Sequence, residues 1–140
     1  KEAHVIEFCR SLFAQALNAS INMYGQDLKN KQWIIEPLAN VIISLCTMDT
    51  CYKRYKELNI GEHKDDTFVV LSLSISNHYN IIVENAKVIL AYIDSENNDS
   101  ALMSVFKDWE QKLNYNPNVI SLKNAIVKSL YKYEKYYLDK

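Results

Sequence analysis

Two glycines and two prolines are all the strong helix breakers this 140-residue chain contains. With so little punctuation, apolar residues recur at helical spacing over segments too long for strands, and nearly every segment is predicted helical. Gly25 and Gly61 are the expected chain stops, and Asn116-Pro117 the expected restart of a last helix. Phosphate-cradling loops need more glycines than the chain has.

The first segment, residues 2–24, sets Val5, Phe8, Cys9, Leu12, Ala16 and Met23 along one stripe, and Gly25 closes it in the left-handed position that ends helices. The second, about 28–58, carries Ile34, Leu38, Val41, Leu45, Met48, Tyr52 and Tyr55 in steps of three and four, a seam for a neighbouring helix. Pro37 interrupts it, so the helix either kinks near Trp33 or starts at Pro37; the unbroken seam favours a kink. Asp65 or Asp66 is placed to cap the third segment, whose stripe runs Phe68, Leu71, Ile75, His78, Ile82, Ala86, Ile89 and Ile93. The β-rich run 67–76 resembles a strand locally, but the pattern continues too far for one.

Residues 94–100 form a polar loop, with Asn98, Asp99 or Ser100 as cap for a short helix bearing Leu102, Phe106, Trp109 and Leu113. Asn116 as N-cap and Pro117 in the first turn then open the last helix, with Val119, Leu122, Ile126, Leu130, Tyr133 and Tyr137 inward and Lys135 and Lys140 at its end. The fold predicted is all-α: an up-down antiparallel bundle of about five helices, three long, one short and one C-terminal, in a single domain over 1–140.

Charge balance, 16 basic against 17 acidic side chains, gives no global attraction to nucleic acid or an anionic membrane. No run of 18 consecutive apolar residues marks a membrane span, and no signal peptide is visible. Cys9, Cys46 and Cys51 are an odd set without metal-binding spacing, pointing to reduced, mostly buried thiols in a cytoplasmic compartment. The opening Lys1-Glu2-Ala3, helical in character and without methionine, is what a piece of a longer chain would show.

Glu36, Asp49 and Glu84 border the seams and read as flanking polar groups rather than acid–base catalysts. His4, His63 and His78 lie on separate segments, and no glutamate stands three residues before a histidine, so a di-iron or zinc site is not expected. His78 falls on the third stripe, as a satisfied core histidine would. The run Tyr131–Tyr137 interleaves aromatic and basic side chains as single-strand nucleic-acid surfaces do, but helical geometry sends Tyr133 and Tyr137 inward and Lys132 and Lys135 outward. Trp33, Tyr52 and Tyr136 are candidates for a subunit interface. No catalytic, cofactor-binding or metal-ligating residue is assigned.

Several short runs, in order, are similar to one family. They are Met23-Tyr24-Gly25, Lys31-Gln32, Pro37-Leu38-Ala39-Asn40 with Ile42 and Ile43, Met48-Asp49-Thr50 leading to Arg54, Leu102-Met103-Ser104-Val105-Phe106, and Tyr115-Asn116-Pro117-Asn118-Val119-Ile120-Ser121-Leu122. Their order and spacing resemble the extra C-terminal helical domain of the larger acyl-CoA dehydrogenases, the very-long-chain type and its bacterial relatives. Pro37 departs from the helix formers usual there, and Asn40 from a common aspartate. The resemblance implies a non-catalytic domain serving core packing and subunit organisation, with a homodimer expected. The parent enzyme would use FAD to remove the α-proton and β-hydride of a fatty acyl-CoA, its glutamate base and flavin contacts lying outside this chain. The alternative is a free-standing helical module that binds a partner helix or a small apolar ligand.

Overall fold

The computed structural model describes the backbone over residues 2–58 and 64–138, and side chains over 2–57, 68–128 and 130–131. It is an all-α bundle of five helices: α1 Glu2–Tyr24, α2 Gln32–Leu58, α3 Lys64–Glu96, α4 Ala101–Leu113 and α5 Val119–Leu138, with no strand among the described residues. The run 67–76 is helical as its length required. The expected stop at Gly61, and Lys140, lie outside the described residues.

The helix ends show where local chemistry overrode the expected boundaries. Gly25 ends α1 with φ +56°, a conformation costly for a residue with a Cβ. It leads into a short 3-10 helix, Gly25–Asn30, that periodicity did not reveal. Asn30 Nδ2 donates to Asp27 Oδ1 at 3.1 Å within it, and that bond, then Lys31, holds the Asp27 carboxyl below its ordinary range. Hence α2 starts at Gln32 rather than near residue 28, and runs through Pro37 instead of starting there. Asp65 and Asp66 fall inside the first turn of α3, not ahead of it.

At the far end α3 absorbs Asp94, Ser95 and Glu96, which were expected in the loop. Buried Asp94 reaches forward, accepting the Leu102 N–H at 3.2 Å on Oδ1 and the Met103 N–H at 2.8 Å on Oδ2. Asp99 Oδ1 accepts the N–H groups of Ser100 and Ala101. Two carboxylates thus satisfy the orphan amides of α4, favoured there by the helix dipole. The cap of α5 is Asn118, not Asn116: its Oδ1 accepts the Ser121 N–H at 3.0 Å. Pro117 stands one position before the cap, and Asn116 bonds Asn114 instead.

Helix α3 is the hub, packing against α1, α2, α4 and α5. Its register with α2 is antiparallel and regular: Trp33 meets Tyr92, Asn40 meets Asn85, Cys51 meets Ser74, and Tyr55 meets Phe68. The core comes mainly from the predicted stripes: Val5, Cys9, Leu12 and Ala16; Ile34, Leu38, Val41 and Met48; Leu71, Ile75, Ile82, Ala86, Ile89 and Ile93; and Phe106. Burial of these apolar side chains out of water is the main force closing the bundle. Leu130, expected inward, is 63% exposed, and Val119, Leu122 and Ile126 are only half-buried, so the described side chains of α5 lie on α3 without entering the core. Ser20, unforeseen in the core, returns its hydroxyl to the Ala16 carbonyl at 2.8 Å.

Candidate functional site

A group of buried and half-buried ionisable side chains lies where α1, α3 and the α4–α5 connection meet. The Tyr79 and Tyr115 rings pack edge to face with centroids 4.9 Å apart, and Phe8 sits 6.1 Å from Tyr79. Burial pushes the Cys9 thiol up to about 12. It does the same for Tyr79, helped by the nearby Glu110 carboxylate and Cys9, and for Tyr115, helped by Glu2, Tyr79 and Cys9 against a weaker opposing effect of the nearby Ser76 hydroxyl. All three stay protonated at neutral pH. The cluster therefore presents neither a thiolate nor a phenolate, and its aromatic packing is structural.

Two open clefts flank this group. One, of about 350 Å³, is lined by Lys107, Glu110, Gln111, Asn114, Tyr115 and Asn116. The other, of about 220 Å³, lies between Ser72, Tyr115 and the start of α5. The first is lined mostly by polar side chains and the second by Glu2, Ser72 and Ser121 beside Pro117 and Leu122; both are open to solvent and neither encloses a ligand as cofactor sites do.

The acids singled out from the sequence are dispersed. Glu36 and Glu84 are exposed on the outer sides of α2 and α3. Asp49 pairs with Arg10 at 2.7 Å and Lys53 at 3.3 Å, tying α1 to α2. His4 is exposed, His63 is outside the described residues, and His78 is half-buried with Nδ1 enclosed and without a hydrogen-bond partner among them, contrary to the satisfied histidine expected. No group of three His, Cys, Asp or Glu among the described residues is placed to hold a metal ion. Cys9 is buried, Cys51 half-buried and Cys46 exposed, so the expectation of buried thiols fails for Cys46. Tyr131 is exposed, while the inward placement of Tyr133 and Tyr137 and the outward placement of Lys132, Lys135 and Tyr136 lie outside the described side chains.

What the sequence did not signal is how much of the outer side of the α2–α3 pair is apolar. Ile43 is 63% exposed and Val88 55%, with Trp33, Ile42 and Ile81 also exposed. Asn40 Nδ2 donates to Asn85 Oδ1 at 3.3 Å across the groove. Ile43 lies one turn beyond Asn40, and Ile81 and Val88 lie a turn to either side of Asn85, so the three share that surface. Trp33 meets Tyr92 edge to face and lies under Lys31, the arrangement of an exposed aromatic with a cation over its face. Tyr52 is half-buried beneath Lys56. By length and composition α2 is apolar enough to cross a membrane, a property it shares with core helices, and its inner side is packed in this bundle. Exposed apolar surface of this kind is what interaction sites are built on.

Comparison with known proteins gives no match to a family model, a curated protein or a solved structure.

Proposed function

We propose that this chain is the non-catalytic C-terminal helical domain of an FAD-dependent acyl-CoA dehydrogenase, serving core packing and subunit organisation. The observation that carries the reading is the ordered residue resemblance, three of whose six pieces fall at the joints of the bundle and three within α2 and α4. Met23-Tyr24-Gly25 is the close of α1, Lys31-Gln32 the opening of α2, and Tyr115-Asn116-Pro117-Asn118 the turn into α5. The outer apolar surface of α2 and α3 supports it, since a packing domain must offer a face to the rest of its enzyme or to a second subunit.

In this reading the flavin, the acyl-CoA and the proton-abstracting glutamate belong to the remainder of a cytoplasmic parent chain. Glu36 and Glu84 are solvent-facing helix residues and take no part in the chemistry. The free-standing interaction module is the second reading, favoured by the same exposed surface.

The test is the reading frame upstream of Lys1 together with the intact protein it encodes. An acyl-CoA dehydrogenase core upstream, flavin absorbance in the purified product and turnover of a fatty acyl-CoA are expected. A frame without such a core, or flavin held by the 140 residues alone, refutes the proposal.

A further inference from the structure

Helix α2 carries a second seam, opposite the one in the core. Glu36, Ala39, Ile43, Cys46, Thr50 and Lys53 follow one another in steps of 3, 4, 3, 4 and 3, and every one is exposed. This is the spacing at which two helices pack along their length. Three of the six are small, which lets helix axes approach to about 8 Å. Between Glu36 and Asp49 helix α2 bears no charged residue, and the seam is apolar at its middle and oppositely charged at its ends.

We infer that this seam pairs with the same seam of a second copy, the two α2 helices antiparallel about a two-fold axis midway between Ile43 and Cys46. The charge pattern selects both occupant and direction. In that register Glu36 of each copy faces Lys53 of the other, Ala39 faces Thr50 and Ile43 faces Cys46. A parallel pairing would set Glu36 on Glu36 and Lys53 on Lys53. An isologous contact requires such self-complementarity, and the sequence supplies it at both ends. Lys53 is anchored 3.3 Å from Asp49 on its own helix yet remains 73% exposed, so its ammonium is available across the axis. Ile81 and Val88 of α3 extend the apolar strip alongside.

This inference deepens the subunit-organisation part of the proposed function and is independent of the flavin chemistry. Its test uses Cys46, the exposed thiol nearest the axis. The two Cys46 residues would lie about 4–5 Å apart along the helix direction at 1.5 Å rise per residue. Mild oxidation of the intact protein is expected to give a disulfide-linked dimer that Cys46→Ser abolishes. Glu36→Lys and Lys53→Glu should each lower the yield about tenfold, because two ion pairs become two repulsions. The double variant, with the charges exchanged, should restore it.

A folded protein, by circular dichroism, that gives no Cys46 crosslink overturns the pairing. So do single variants that leave the yield unchanged, a double variant that does not recover it, or phosphatidylcholine vesicles that bind the protein and suppress the crosslink. Flavin absorbance of the same samples reports separately on the enzyme assignment, so loss of one result leaves the other standing.

Discussion

Replacing Asp94 with alanine should cost far more than a loop-adjacent carboxylate ordinarily would. Its side chain is buried and accepts two backbone N–H groups of α4, at 3.2 and 2.8 Å. Helix caps contribute about 0.5–2 kcal/mol. Leaving enclosed donors without an acceptor costs about 1–3 kcal/mol. Some rehydration of the freed amides offsets part of the loss, which places Asp94→Ala at about 2–3 kcal/mol. Asp99 also accepts two amides, but at an exposed corner where water replaces it, and Asp99→Ala should cost about 0.5–1 kcal/mol. Asp94→Asn keeps one acceptor oxygen and should fall between them. Urea unfolding followed by circular dichroism gives the three values, with an unchanged slope showing that the transition itself is the same. Amide exchange at Leu102 and Met103 should accelerate in Asp94→Ala. Equal costs for Asp94→Ala and Asp99→Ala would refute the claim that burial sets the strength of this cap.

Further expectations concern the core, the thiols and alkaline pH. Leu12→Ala, at a fully buried site, should destabilise by about 3 kcal/mol, whereas Leu130→Ala on exposed α5 should change stability by less than about 0.5 kcal/mol in the same assay. At pH 8 a thiol reagent should modify Cys46 rapidly and Cys9 only on unfolding, as peptide mapping of the labelled protein would show. Cys9, Tyr79 and Tyr115 all have folded values near 12, above ordinary values of 9.0 for the thiol and 10.0 for the phenols. Above pH 9 the unfolded chain therefore releases protons that the folded one retains. The stability these groups contribute is complete below pH 9 and declines as pH rises toward 12, which thermal melts across that range would register.

The long helices were legible because their apolar spacing is sustained and almost nothing interrupts it. Val5, Cys9, Leu12 and Ala16 lie inside as the first stripe required. The same rule fails at Leu130, since periodicity identifies a face and not the presence of something to cover it. It is blind in another way on α2, where an inner seam through Leu38 and Met48 and an outer one through Ile43 and Cys46 have equivalent spacing. Only the position of α1 and α3 decides which of them is core. Capping was partly readable: Asp99 was among the candidates, while Asp94 acts across eight and nine residues of chain and leaves no local signature. Gly25 was read correctly, but the 3-10 turn behind it depends on side-chain bonds such as Asn30 to Asp27 that no hydrophobic pattern encodes.

Helix α5 touches the bundle through α3, with Val119, Leu122 and Ile126 half-covered and no residue of its described side chains sealed from water. A protease acting between Asn116 and Asn118 would consequently free a segment held through one helix while leaving Tyr115 packed on Tyr79, so that cleavage there should trim the molecule instead of unravelling it.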